Sequence, residues 1–262
     1  MDLGIRSKRA LVLGASGGLG SAVATTLVAE GADVFLAGWD KTTLEQLRDD
    51  LAARASGRVE SHVCSMASAD EISGLADAAL AHFGGIDILV NITSGPPSGS
   101  LLNVDDKTWK KQFESMVLSV FRITNRLLPC MRQRKWGRIL TSTSSGVVQP
   151  IPNLGISNAL RASLVTWSKT LATEVAADGV TVNVIVPGRI HTKRVDMLDH
   201  ANAKRQNKPV EDIVRASVAS IPTGRYGRCE EYASVAAFLV SECASYITGS
   251  VVRADGGYIK AI

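Results

Sequence analysis

A short apolar run that ends in a cluster of glycines opens this chain of 262 residues. Residues 10–13 predict a buried strand, and apolar residues at helical spacing over 22–28 predict a helix directly after it. Between the two lie glycines 14, 17, 18 and 20. A strand, a glycine turn and a helix start bring free backbone N–H groups and a positive dipole to one point. This combination favours a dinucleotide pyrophosphate, although a sharp strand-to-helix turn by itself also needs glycine.

Strand and helix patterns then alternate along the whole chain. The predicted strands are 10–13, 32–37, 59–64, 86–91, 138–141, 180–186 and 250–253. The predicted helices are 42–55, 68–83, 105–134, 153–177, two within 193–219, and 230–241. Strands joined by helix-length connections form a parallel sheet with helices on both faces. Because no linker or repeat interrupts the pattern, we predict one doubly wound α/β domain over residues 1–262.

The composition is that of a globular protein, with 45% hydrophobic and 21% charged residues and a net charge of +4. No apolar run approaches the roughly 20 residues that a membrane helix needs. The basic clusters lie near predicted helix ends, where the helix dipole explains them without nucleic acid. The four cysteines lack metal or redox spacing. We therefore expect a reduced, cytoplasmic protein with a small-molecule substrate and no metal, membrane or nucleic-acid partner.

From end to end, the sequence resembles the short-chain dehydrogenases/reductases, and among them the 3-oxoacyl carrier-protein reductases. The segments that carry the resemblance are the glycine stretch 13–20, Asn91 after the fourth strand, and residues 182–192 and 248–257. The glycine spacing is G-x-x-x-G-x-G rather than the commoner G-x-G-x-x-G. The resemblance implies a Rossmann-type sheet, a nicotinamide cofactor and a homotetramer.

The resemblance also implies which residues bind the cofactor. The glycine turn would hold the pyrophosphate, Asn91 would shape the end of the fourth strand, and Ile190 and Thr192 would contact the nicotinamide. The expected set is Gly14, Ser16, Gly17, Gly18, Leu19, Gly20, Trp39, Asn91, Pro187, Gly188, Ile190 and Thr192.

The residues after the second strand bear on the choice between NADP and NAD. A protein that prefers NAD places an acid near Gly38 for the ribose hydroxyls, and here Trp39 follows. We therefore favour NADP over NAD, with a site that takes neither as the alternative. Trp39 itself either stacks on the adenine or caps the sheet edge, and we favour the second.

The catalytic positions depart from the family. Its members use a Tyr-x-x-x-Lys pair on a long helix, a serine about a dozen residues earlier and an asparagine on the preceding long helix. With the register set by residues 168–172, Ser157 takes the tyrosine position and Arg161 the lysine position. Ser144 falls on the serine and Met116 on the asparagine. One member of the four is therefore retained.

These replacements change the chemistry of the site. A serine hydroxyl is a far weaker acid than tyrosine, whose pKa of about 10 a nearby cation lowers. Arg161 keeps a charge and a fork of donors but does not release its proton at working pH. We predict Ser144, Ser157 and Arg161 as the catalytic candidates, against ordinary serines and a surface or interface arginine. His191 follows the sixth strand, and we expect it to be a solvated loop residue rather than a surrogate acid.

Two classes of function follow. The first is an atypical NAD(P)-dependent oxidoreductase that acts on a carbonyl or alcohol of a small substrate. The second keeps the fold for redox-free chemistry, such as that of a lyase or dehydratase, or is a catalytically silent dinucleotide-binding subunit. The glycine turn, Ile190 and Thr192 favour the first class, whereas the lost tyrosine favours the second. Residues 193–225 are expected to form a substrate lid. Their basic and histidine content would favour an anionic ligand, although a solvated helix face is the default interpretation.

Overall fold

The computed structural model describes residues 2–262 and is built on one sheet of parallel strands in the order β3-β2-β1-β4-β5-β6-β7. The strands are β1 Arg9–Leu13, β2 Asp33–Gly38, β3 Val59–Val63, β4 Ile88–Asn91, β5 Gly137–Ser142, β6 Val180–Pro187 and β7 Val251–Ala254. The direction of winding reverses between β1 and β4, which opens a crevice at the carboxyl ends of these strands. The predicted doubly wound parallel sheet is confirmed.

Helices cover both faces of the sheet. They are α1 Gly18–Ala29, α2 Lys41–Ala52, α3 Ala69–Phe83, α4 Asp106–Phe113, α5 Ser119–Gln133, α6 Gly155–Val175, α7 Lys193–Gln206, α8 Val210–Ala219 and α9 Cys229–Leu239. Successive strand residues point to opposite faces, so Val12 packs with α1 and α9 while its neighbour Leu11 packs with α3, α5 and α6. Burial on both faces explains why these strands are continuously apolar.

Two helix starts occur where the sequence predicts them. The Ser68 hydroxyl accepts a hydrogen bond from the Glu71 N–H at 3.3 Å and caps α3. The Asp105 carboxylate accepts one from the Thr108 N–H at 2.6 Å and caps α4. Side-chain caps of this kind satisfy backbone donors that the first helical turn leaves unpaired.

The predicted helix 105–134 is not continuous. A wider π-helical turn, Glu114–Leu118, separates α4 from α5. The Ser115 hydroxyl donates to the Lys111 carbonyl at 3.1 Å, and the Ser119 hydroxyl donates to the Ser115 carbonyl at 2.7 Å. Such bonds compete with the backbone ladder, and π-turns of this kind are common at functional sites.

No helix of the described chain is both long enough and apolar enough to span a membrane. Residues 2–262 also contain no cluster of three or more His, Cys, Asp or Glu side chains placed to hold a metal ion.

Candidate active site

The backbone of the turn between β1 and α1 is closely packed. Gly14 has a φ of +70°, in the left-handed region that favours glycine, and a Cβ there would lie 2.5 Å from the Ile92 carbonyl oxygen. A Cβ at Gly20 would overlap the Gly14 carbonyl. Leu19 packs partly buried against the core below. Two of the predicted glycines are therefore needed by the protein's own packing.

The N-terminus of α1 is open to a ligand. Gly17 is its N-cap, and no described side chain caps the helix or places an acid in its first turn. Gly17 and Gly18 are both exposed. A Cβ at Gly18 would lie 3.0 Å from the Thr192 methyl group. Gly18, predicted for the pyrophosphate, and Thr192, predicted for the nicotinamide, therefore lie close together. The unpaired N–H groups at the start of α1 and the positive end of its dipole fit a diphosphate.

A groove continues from this turn to the ends of β2 and β3. Its lining includes Gly14, Gly38, Trp39, Ser65, Ile92, Ser94 and Ser115, and none of its described lining residues carries a carboxylate. Ser16 forms part of this region, since its hydroxyl lies 2.6 Å from where a Cβ on Gly38 would be. The nearby Asp40 carboxylate is occupied as the cap of α2, at 3.2 Å from the Thr43 N–H and 2.8 Å from the Thr43 hydroxyl.

Trp39 does not cap the sheet edge, so the favoured expectation for this residue was wrong. Its side chain is 71% exposed and lines the groove just after β2. Contact with an adenine stays a prediction. Deeper in the same groove, burial raises the pKa of the Cys64 thiol to about 11, so the thiol stays protonated at neutral pH.

The ends of β4 and β6 complete the floor of the site. Asn91 is fully buried, and its amide donates to the Thr141 hydroxyl at 3.3 Å, which ties β4 to β5. Pro187 ends β6, and the Gly188 N–H donates to the Ala254 carbonyl at 3.0 Å.

The two residues predicted beside the nicotinamide follow this strand end. Ile190 is buried in the core on the α1 side of the sheet. The Thr192 hydroxyl accepts the Val195 N–H at 3.3 Å and caps α7, so its own proton is free to be donated.

Arg161 lies at the centre of a buried network. Nε donates to the Ser157 hydroxyl at 3.3 Å, and Nη1 donates to the Ser142 carbonyl at 3.2 Å and the Thr93 hydroxyl at 3.5 Å. Nη2 donates to the carbonyls of Thr93 at 2.9 Å and Ser94 at 3.4 Å. A guanidinium has five N–H groups, so every donor has an acceptor, and every acceptor is uncharged.

Arg161 is therefore neither a surface arginine nor a group with donors left for a ligand. Burial lowers its pKa to about 10, and repulsion from Arg194 acts in the same direction. The guanidinium stays charged at neutral pH. It holds the Ser157 side chain and the loop after β4 in place.

Both serine hydroxyls keep a free proton. The Ser157 oxygen accepts from Arg161 Nε, and the Ser144 oxygen accepts the Gly146 N–H at 3.1 Å. Neither hydroxyl donates to a group within residues 2–262. The two segments adjoin, because a Cβ on Gly146 would overlap the Asn158 side-chain oxygen and would lie 3.4 Å from the Ser144 hydroxyl. Two hydroxyl donors at the carboxyl ends of the strands suit a carbonyl oxygen that gains negative charge.

Two residues near the site are not predicted by the sequence. Ser115 lines the groove, while Met116, at the family's asparagine position, is buried in an apolar cluster with Val117 and Leu164. Tyr232 comes from α9, and its buried phenol lies near Ser142 and Arg161. Burial raises the pKa of Tyr232, so it is no substitute acid at neutral pH.

His191 is exposed on the loop after β6, as predicted. Its Nε2 lies 3.4 Å from the Asp196 carboxylate, and both side chains face solvent. It takes no part in the network around Arg161.

Comparisons with known proteins agree with this architecture. A family described as Enoyl-(Acyl carrier protein) reductase matches residues 14–259. Nodulation protein G of Rhizobium sp. (strain N33) is 37% identical over 97% of both chains. The 3-oxoacyl-[acyl-carrier-protein] reductase FabG of Salmonella typhimurium is 36% identical over 97% of this chain and 98% of its own. The structure of L-sorbose reductase from Gluconobacter frateurii, complexed with NADPH and L-sorbose, has a TM-score of 0.94 at 32% identity and covers both chains fully.

The fold and the comparisons together define the class. This chain belongs to the short-chain dehydrogenase/reductase family, whose similar members here are oxidoreductases. The resemblance drawn from the sequence is confirmed.

Proposed function

We propose that this protein is an NADPH-dependent oxidoreductase that acts on the carbonyl, or in reverse the alcohol, of a small substrate. The observation that carries the proposal is the open N-terminus of α1 beside a groove free of carboxylates. The NADPH complexes of L-sorbose reductase and of an actinorhodin polyketide ketoreductase support it. Nothing comparable supports redox-free chemistry or a silent subunit.

The residues present fit a nicotinamide dinucleotide. The turn from Gly14 to Gly20 would hold the pyrophosphate at the start of α1, and Trp39 would meet the adenine. Asn91, Pro187, Gly188, Ile190 and Thr192 would surround the nicotinamide. When bound, NADPH supplies a hydride. The lack of an acid beside Gly38 avoids repelling the 2′-phosphate of NADP, which is the reason to favour it over NAD.

The substrate oxygen would be held by hydroxyls rather than by a tyrosine. Ser144 and Ser157 each have a proton free to donate, and the buried charge of Arg161 strengthens the donor that it holds. None of the three is an acid that titrates near neutrality. Proton transfer to the product alkoxide would therefore be slow, and water or the substrate would supply the proton.

Titration with NADPH and NADH tests the cofactor proposal. We expect NADPH to bind with blue-shifted, enhanced nicotinamide fluorescence and at least ~10-fold more tightly than NADH, because no carboxylate opposes its 2′-phosphate. Bovine serum albumin at equal concentration controls for non-specific fluorescence. If neither nucleotide binds at millimolar concentration, the proposed function is wrong.

We further propose that the chain works as one domain, with residues 193–225 closing over the site as a lid. The base of this segment is fastened, since Asp199 accepts from Arg189 and from the Tyr226 hydroxyl, the latter at 2.9 Å. The part of α7 around Asp199 would then stay fixed, and the closing movement would fall on the rest of the segment. The four cysteines are free thiols, which supports a reducing, cytoplasmic location.

A homotetramer is the assembly that we propose. The edge strand β7 has Val251 exposed, and Tyr246 and Ile262 nearby on the chain are fully exposed apolar side chains. Phe121 of α5 stacks on Trp167 of α6 at 4.6 Å and stays partly exposed on the long helices. Apolar surface of this kind marks an interface. Light scattering at micromolar concentration is expected to give the mass of four 27.8-kDa chains, and the mass of a monomer would contradict it.

A further inference from the structure

Arg194 joins the start of α7 to the loop that follows β4. It lies in the first turn of α7, two residues after Thr192, and is partly buried. Its Nη2 donates to the Pro96 carbonyl at 2.6 Å, and the guanidinium lies over Gly95, where a Cβ would be 3.0 Å away. A side chain at position 95 would therefore displace it.

The electrostatic surroundings of Arg194 are unfavourable to a cation. The N-terminus of a helix carries a positive partial charge that disfavours basic residues. Burial also removes water from the guanidinium, which lowers the pKa of Arg194. In addition, Arg194 repels Arg161. No acid within residues 2–262 lies within ion-pair distance of Arg194, although α7 carries Asp196, which faces His191 instead.

The two arginines bond to the same loop. Arg161 donates to the carbonyls of Thr93 and Ser94, and Arg194 donates to that of Pro96, all in the segment that follows β4. The donors of Arg161 are all used inside the protein. Arg194 uses one of its five N–H groups within the described chain, so the rest of its fork can meet a ligand.

We propose that Arg194 binds a carboxylate of the substrate, so that this protein acts on short oxo acids rather than on neutral ketones. The inference rests on the proposed function, because the carboxylate would enter beside the hydroxyls of Ser144 and Ser157. A carboxylate matches the planar guanidinium fork with two parallel hydrogen bonds. It also neutralises the charge that the protein leaves unbalanced beside Arg161.

The test compares acids with their uncharged esters. Pyruvate, acetoacetate and levulinate, and the methyl ester of each, are titrated by calorimetry into the protein saturated with NADP⁺, where no reduction occurs. We expect at least one acid to bind ~10-fold or more tightly than its ester. Arg194→Gln should remove this preference and leave the NADPH affinity within about twofold. Arg205→Gln, an exposed arginine of the same helix that bonds Asn202, is the matched control and should keep the preference.

The outcomes separate this inference from the proposed function. If no acid is preferred, or if Arg194→Gln keeps the preference, Arg194 is not a carboxylate site. If Arg194→Gln weakens NADPH binding instead, the arginine serves the cofactor phosphates and the inference is wrong. If the wild type binds no dinucleotide, the proposed function fails, and the same titrations on the free protein still decide the role of Arg194.

Discussion

Gly18→Asp is expected to abolish NADPH binding, with the Kd raised at least ~100-fold. The new carboxylate would stand at the open N-terminus of α1, where the pyrophosphate is expected, so two negative groups would compete for the same N–H donors. Its Cβ would also lie 3.0 Å from the Thr192 methyl group and push away the loop that follows β6. Nicotinamide fluorescence and calorimetry measure the loss.

The matched control is Gly74→Asp. Gly74 is an exposed glycine of α3, and a Cβ at this position would have no neighbouring atom within 4 Å, so this variant adds the same charge away from the site. It should bind NADPH like the wild type. A Gly18→Asp protein that has the melting temperature of the wild type and binds NADPH equally well would contradict the placement of the pyrophosphate.

The second large effect is a gain in the rate of ketone reduction. Ser157→Tyr combined with Arg161→Lys is expected to raise kcat for the reduction of 2,2,2-trifluoroacetophenone by ~10²–10⁴-fold, the usual contribution of general acid catalysis. The pair would restore a phenol whose pKa a neighbouring ammonium lowers. This neutral ketone has no carboxylate, so the measurement is independent of Arg194. Stopped-flow oxidation of NADPH provides the rate.

Arg161→Lys alone is the control for the double variant. It should not raise the rate, and we expect it to lower the free energy of unfolding by about 1–3 kcal/mol, since one ammonium cannot serve the acceptors that five N–H groups reach. Suppose instead that the wild type reduces the ketone as fast as the double variant. The proton would then come from elsewhere, and His191→Gln would be the next variant to measure.

Much of the architecture could be predicted because it depends on local patterns. Apolar runs of strand length and amphipathic runs of helix length locate the elements. The helix caps Ser68 and Asp105 are equally local, because each bonds an N–H only three residues further along the chain. The glycine turn is also a local pattern, although the structure gives its glycines two different roles. Gly14 and Gly20 serve backbone packing, whereas Gly17 and Gly18 leave the helix end exposed.

The sequence by itself determined the fold, the place of the dinucleotide turn and the residues that replace the family's catalytic pair. The tertiary structure alone decided what surrounds these replacements. Arg161 has its donors filled by residues 93, 94 and 142, which are distant in the chain, and Tyr232 reaches the same network from α9. The π-turn places Ser115 rather than Met116 on the groove. Such contacts depend on which strand ends meet, and that is a property of the folded sheet that no local spacing encodes.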